Sequence, residues 1–428
     1  MTEIDATPAP ARRRPVRART TWVAAVLLAG GLALSGCSTT STDAATSSTA
    51  SSTASSSTSS SIADAAAVST TDATTTAQTI GDTAAAAEAF LATLSEEQRE
   101  AVLYAYDDET KTTSWSNFPV TFVERAGLNL TDLTAEQRSA ALAVLEALLS
   151  DEAYATVTAI TGGDEYLLEN SSSTEESLGQ YYIAFFGDPS TSTAFEVQFG
   201  GHHLGINATL DGTANAITFA PTHLGVQPAV YTDAEGDEVQ PFDGIYTDAF
   251  AFFDSLTAEQ QATLTSGEVS SCAPGDTCDF ATGTGLTGAD LTDEQKQLLL
   301  ELIANWAGMA DEESTATTLA QIEATLDDTV VAWSGETTYD MSTGDGISFS
   351  ISGPDVYVSF QAQNGSAGAD VDGVTTSGWG HVHTVYRDPT NDYAGSVTQQ
   401  AASGMGGGAP SGGAPSGGAP SGGAPSSE

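Results

Sequence analysis

Five histidines occur among 428 residues, and none precedes position 200. Four of them form two tight pairs, His202-His203 and His381-Val382-His383, and His223 stands alone between them. Neutral imidazole is a common ligand of zinc and copper, so paired histidines are the first place to look for chemistry. His381-Val382-His383 follows Gly380 and runs into Thr384-Val385-Tyr386, a β-type stretch. On a strand, residues two apart share a face, which sets the two imidazoles side by side. In Gly201-His202-His203-Leu204-Gly205-Ile206-Asn207 the same alternation sends His202 with Leu204 and Ile206 to an apolar face. His203 goes with Gly205 and Asn207 to a polar one. The expected ligands of a zinc or copper ion are therefore His203, His381 and His383, with His202 beside them and one position left for water. A hydrogen-bonded histidine cluster without metal is the competing reading. His223, in Ala220-Pro221-Thr222-His223-Leu224-Gly225, reads as a loop residue.

The second pair runs into Tyr386-Arg387-Asp388-Pro389-Thr390-Asn391-Asp392-Tyr393. An arginine beside a histidine cluster offers a bidentate grip on a carboxylate or phosphate, so Arg387 is expected near the rim. Asp388 and Asp392 are candidates for a general base or for the partner of a histidine. The alternative is a structural ion pair of Arg387 with one of these aspartates. No Gly-x-Ser-x-Gly elbow, phosphate-binding loop or His-Glu-x-x-His motif occurs. Asp370-Val371-Asp372-Gly373 begins like a calcium loop but lacks the closing Glu, so it reads as a turn. Trp115, Trp306, Trp333 and Trp379 read as core.

Elements that position these residues are marked by a recurring phrase. It reads Leu94-Ser95-Glu96-Glu97-Gln98, Leu133-Thr134-Ala135-Glu136-Gln137, Leu256-Thr257-Ala258-Glu259-Gln260 and Leu291-Thr292-Asp293-Glu294-Gln295. In each, the Ser or Thr hydroxyl caps a helix and the Gln three residues on reaches back. Apolar periodicity then predicts helices over 134–149 and near 292–306. The boxes come in two pairs, and a β-rich stretch ending in a histidine pair follows each. The fold expected is α+β, one large domain over 81–400 built from two similar halves, 81–245 and 246–400.

The chain carries 11 Lys+Arg against 57 Asp+Glu, a formal charge of −46. Phosphate contacts need clustered basic residues, so nucleic acid is excluded as a partner. Residues 11–19 are Arg-rich, residues 22–34 are apolar, and Leu34-Ser35-Gly36-Cys37 resembles a bacterial lipobox. The apolar run suits a secretion signal better than a membrane span. Residues 1–37 are thus read as a lipoprotein signal, with Cys37 acylated and the protein exported and anchored to the membrane by lipid. Residues 38–80, rich in Ser, Thr and Ala, read as a tether, and 401–428, with its Gly-Gly-Ala-Pro-Ser repeats, as a disordered tail. Outside the cytoplasm, Cys272 and Cys278 are expected to form a disulfide, with metal thiolates as the alternative.

Several motifs appear in a fixed order: Trp115-Ser116-Asn117-Phe118-Pro119, Arg125-Ala126-Gly127-Leu128, Gly201 to Asn207, Ala332-Trp333-Ser334-Gly335, and His381 to Tyr393. Together, over roughly 90–396, they resemble the bacterial and fungal domain-of-unknown-function family numbered 3500. This sequence departs from that pattern at Phe195, where Trp is usual, and at Ala394, which intervenes before the usual Gly. The resemblance implies no reaction. Three functions fit the residues: a metal-dependent hydrolase, a non-catalytic lipoprotein that binds a metal or small ligand, and a structural protein with a histidine core. Mass spectrometry of the mature N-terminus should find lipidated Cys37, and Cys37→Ala should leave the membrane fraction. An N-terminus elsewhere, or a variant still membrane-bound, would end the lipoprotein reading.

Overall fold

All four Ser/Thr-x-x-Gln phrases close as capping boxes in the computed structural model, which describes residues 74–172, 178–264, 284–365 and 369–397. Cys37, Cys272, Cys278, the signal and the Gly-Gly-Ala-Pro-Ser tail lie outside the described residues. A fifth box, Thr75 with Gln78, opens helix α1 (Thr76–Ala92). The composition assigns 76–80 to the tether. The helix forms there because Ile80, Ala84, Ala87 and Leu91 make one buried stripe at helical spacing. Helix α2 (Ala135–Leu148) follows the Thr134 box, and α3 (Asp151–Asn170) is capped by Ser150. Then come α4 (Asp243–Ser255), α5 (Asp293–Ala307), opened by the Thr292 box, and α6 (Glu312–Ala324). Among the described residues no helix is long and apolar enough to cross a membrane.

The box glutamines do more than cap. Gln137 Nε2 donates to Gln98 Oε1 at 3.0 Å and to the Thr93 carbonyl at 3.1 Å. Gln295 Nε2 donates to Gln260 Oε1 at 2.9 Å and to the Ser255 carbonyl at 2.8 Å. Each bond pair ties the start of one helix to the end of its neighbour, where α1 packs on α2 and α4 on α5.

The main sheet is built from β1 (Tyr182–Phe186), β2 (Ala194–Gly200), β3 (Leu204–Asp211), β4 (Thr222–Val226), β5 (Val330–Gly335), β6 (Ile347–Ser352), β7 (Tyr357–Gln363) and β8 (Gly378–Arg387). Their order is β1-β2-β3-β4-β8-β7-β6-β5, with every neighbour antiparallel. Leu103–Tyr104 adds parallel to β1, so the sheet is mixed. Leu128–Asn129 and Leu286–Thr287 add antiparallel to β1 and β5. The fold is α+β, as expected. At the centre β4 pairs with β8, with Gly225 opposite His383 and His223 opposite Val385.

Every residue of β8 is buried, so both faces of the sheet are covered here. Alternation sends Val382, Thr384 and Tyr386 toward the helices, where Trp306 Nε1 donates to Thr384 Oγ1 at 2.8 Å. This face is aromatic: Phe349 stacks on Phe360 at 4.8 Å and on Trp333 at 5.5 Å. His381, His383, Val385 and Arg387 point the other way. That face is covered by residues 110–125 and 388–396, joined by a 2.7 Å bond from Trp115 Nε1 to Tyr393 Oη. Tyr393 and Ala394 both have φ near 54°, left-handed for side chains with a Cβ. Ala394 thus occupies a conformation that suits Gly. The strain, on the order of 1 kcal/mol per residue, is offset by the Trp115 bond and by Tyr393 N donating to the Ala220 carbonyl at 2.7 Å.

The buried glutamine ties predict a graded response. Gln137→Ala and Gln295→Ala should each lower stability in urea unfolding by about 1–3 kcal/mol, since each loses a cap and leaves a carbonyl unpaired. Gln297→Ala, half-buried on α5 and bonded only to Glu301 of the same helix, should change it by less than about 0.5 kcal/mol. Equal effects at all three positions would contradict this role.

Candidate metal centre

The first histidine pair is placed by a glycine turn. A Cβ on Gly200 would lie 2.4 Å from the Leu204 carbonyl oxygen, and one on Gly201 would lie 2.5 Å from that of Gln180. Only glycine permits so close an approach. His202 and His203 therefore sit in the bend before β3, not in the strand. Strand alternation does not apply to them, and their rings stack at 4.2 Å on one side of the chain. The expected separation of His202 from His203 onto opposite faces is corrected accordingly.

Arg125 holds this bend. Its Nε and Nη2 donate to the Gly201 carbonyl at 3.2 and 2.7 Å. Nη2 also donates to the Ser116 and Phe118 carbonyls at 2.8 and 2.6 Å, and Nη1 to that of Val123. Burial lowers its pKa to about 10, which leaves it cationic at neutral pH. Two of the short family-like motifs, around Trp115 and Arg125, thus meet the third at Gly201.

The two pairs converge. The His203 ring lies 5.8 Å from that of His381 and 5.2 Å from that of His383. His223 joins them from β4, stacked on His383 at 5.3 Å. It was expected in a loop, but the segment between Pro221 and Pro228 pairs on both sides, with β3 and β8. Ring nitrogens of His202, His203 and His383 lie within 4.8 Å of one another, close enough to serve one metal ion. His202 enters that set, whereas the sequence reading put His381 there.

Hydrogen bonds assign the tautomers. Asp164 Oδ1 lies 2.5 Å from His203 Nδ1, so Nδ1 carries the proton and Nε2 the lone pair. The Gly365 carbonyl lies 3.1 Å from His381 Nδ1 and can only accept. His381 Nε2 is then the acceptor toward His383 Nε2, 3.0 Å away, which leaves the His383 lone pair on Nδ1. Among the described residues, His203 Nε2 and His383 Nδ1 are buried and make no hydrogen bond. Both nitrogens of His223 face carbonyls, Thr384 at 2.8 Å and His202 at 3.1 Å, and the neutral ring donates its single N–H to one of the two. Burial is the foremost cause lowering the pKa of all five imidazoles, that of His223 to about 4. At neutral pH the rings are neutral, and the lone pairs of His203 Nε2 and His383 Nδ1 are available.

Asp164 was missed in the sequence. It sits in α3, its second oxygen accepts from Tyr181 Oη at 2.6 Å, and burial raises its pKa to about 6. The available signal was Gly162-Gly163 immediately before it. Two glycines inside a helix are unfavourable unless something packs close, and a Cβ on Gly162 would meet Tyr231 Oη at 2.4 Å.

Arg387 is fully buried, not at a rim. Its Nε donates to Asp392 Oδ2 at 2.5 Å, and Asp392 Oδ1 accepts from Asp388 N at 2.8 Å. Asp388 Oδ1 accepts from the Thr390 and Asn391 amides at 2.9 and 3.0 Å, and burial raises its pKa to about 6. The covering segment folds back over β8, so these three residues form a structural ion pair and turn rather than an anion grip.

A family model described as Protein of unknown function (DUF3500) matches residues 76–395. No curated protein and no solved structure matches the chain.

Five imidazoles held neutral predict acid sensitivity of the metal-free protein. The unfolded chain takes up protons below about pH 6.5, where the folded cluster refuses them, so stability falls as pH falls from 6.5 toward about 4. Asp164 and Asp388, each raised to about 6, and Glu196, raised to about 8, oppose this with three groups against five. Chelator-treated protein should lose more than about 2 kcal/mol between pH 7.5 and pH 5 in denaturant titrations. A flat profile would show that the rings titrate normally in the fold.

Proposed function

The chain belongs to the family described as Protein of unknown function (DUF3500), and we propose that its function is to hold one zinc or copper ion on His202, His203 and His383. The observation that carries this is the pair of buried, unpartnered nitrogens, His203 Nε2 and His383 Nδ1, beside the His202 ring. A buried lone pair without a partner costs about 1–3 kcal/mol, and an ion removes that cost at both nitrogens. Ligand nitrogens around one zinc stand about 3.3 Å apart, so the rings need to close by an ångström or so from their 4.8 Å limit. The surroundings match a ligand set. Asp164 orients His203 through Nδ1 in the manner of a carboxylate–histidine–metal triad, and His381 fixes the tautomer of His383.

Metal retention fits better than hydrolysis. A hydrolase needs a base within reach of metal-bound water. Both Asp164 oxygens are engaged, and Asp388 and Asp392 are committed to their own turn. The proposal includes an exported protein, anchored by a lipid on Cys37, as the Arg-rich and apolar run before Leu-Ser-Gly-Cys supports. It also includes a duplication relating the two halves. The sheet order, which reads alike from either edge, and the matching glutamine ties support that part.

Elemental analysis of protein purified without chelator tests the metal. About one zinc or copper per chain is expected, with content reduced at least tenfold in His203→Ala and His383→Ala at unchanged circular dichroism. His381→Ala should weaken binding by roughly 10–100-fold in chelator competition, as loss of an orienting partner does. Failure to take up either metal, or full retention in His203→Ala, would overturn the assignment.

A further inference from the structure

A cavity of about 280 Å³ opens beside Gly380, which precedes His381 in β8. Its walls include Tyr166, Tyr231, Trp379, Met341 and Glu238. Tyr166 and Tyr231 stand 5.6 Å apart with ring planes at 39°, two sides of an angled aromatic wall. Each ring is fixed. Tyr231 Oη donates to the Ala159 carbonyl at 2.8 Å, packed against Gly162, and Trp379 Nε1 donates to the Thr343 carbonyl at 2.8 Å. Tyr231 and Glu238 belong to one small hairpin, Tyr231–Thr232 paired with Glu238–Val239.

Among the described residues the lining holds a carboxylate and no Lys, Arg or His. Asp233 and Glu165 stand close enough to Tyr231 to reinforce the effect of burial on its phenol, whose pKa is raised to about 12. The field over these rings is therefore negative. Aromatic rings, a thioether and one carboxylate make a poor site for a metal ion, which wants several oxygen or nitrogen ligands. An anion is repelled. A soft organic cation gains from the ring quadrupoles and from the carboxylate at once.

We propose that this cavity binds a small organic ammonium compound, its charged head set against Tyr166 and Tyr231 and paired with Glu238. The inference stands apart from the metal reading, because no proposed metal ligand lines the cavity. Choline and dimethylbutanol have nearly the same shape and differ in charge, so calorimetric titration of the full chain with each is the test. Choline should bind about tenfold more tightly than the neutral alcohol. Glu238→Gln, at an exposed position, and Tyr166→Leu should each weaken choline binding by about three- to tenfold, with circular dichroism unchanged. Equal affinity for both probes, absence of choline binding, or unchanged affinity in both variants would overturn the proposal.

Discussion

The pairing of β4 with β8 is the contact on which the rest of the centre depends. It joins strands from the two halves of the chain and sets Gly225 directly across from His383. A side chain at 225 would crowd the spot: its Cβ would lie 3.0 Å from the Val382 oxygen and 3.4 Å from Cδ2 of His203. Without one, the Gly225 amide donates to the His203 carbonyl at 2.6 Å and pulls the glycine bend over the strand. A Cβ here would need its neighbours to give by a few tenths of an ångström, so glycine lets the bend and the strand approach at this distance.

Burying that cluster imposes a second constraint. Polar groups taken out of water must find partners, and a face of imidazoles, amides and carbonyls cannot be covered by an ordinary apolar layer. The covering segment answers with matched polar groups. Arg125 spends its guanidinium on backbone carbonyls rather than on a carboxylate, which suits a region where a second buried charge would be costly. Gln198 and Asn207 link in the same layer, Nε2 to Oδ1 at 2.7 Å, and Asn207 passes on to the Pro221 carbonyl at 3.1 Å. Nearby, Glu196 is wholly buried with its pKa raised by burial to about 8, and Lys111 shares its surroundings. The polar face is thus close to neutral in net charge although the chain carries −46.

Much of this was legible in the residues. Capping boxes are local chemistry, so Ser95, Thr134, Thr257 and Thr292 mark helix starts whatever packs around them. The β stretches show their period, and the His381 and His383 rings lie 5.0 Å apart although the register of β8 shifts between Gly378 and Val382. What escaped the sequence depends on contacts between distant segments. His202 and His203 lie in a bend that Gly200 and Gly201 make possible, and the alternation rule has no force inside a bend. His223 looked like a loop residue because Pro221 and Gly225 flank it, yet the strand is short enough to run between its prolines. Asp164 is one of many acidic residues and gains its meaning only from the helix that carries it to His203. Arg387 looked available because nothing in its neighbours shows that residues 388–396 fold back to cover it.

The charge of the chain sets what its sites can take. With so many more acidic than basic residues, the surface potential is negative and raises the local concentration of cations, an effect that salt screens over about 10 Å. A divalent ion entering the histidine cluster would lose its hydration in a low-dielectric interior, and three neutral imidazoles would return bonds but no charge. Asp164 supplies the nearby negative charge, passed through the His203 ring rather than by direct ligation. Its raised pKa then has a physical reading: the carboxylate is held in a place too apolar for it alone, and a cation on the far side of the ring stabilises the ionised form. By linkage, ionised Asp164 stabilises the bound cation to the same extent.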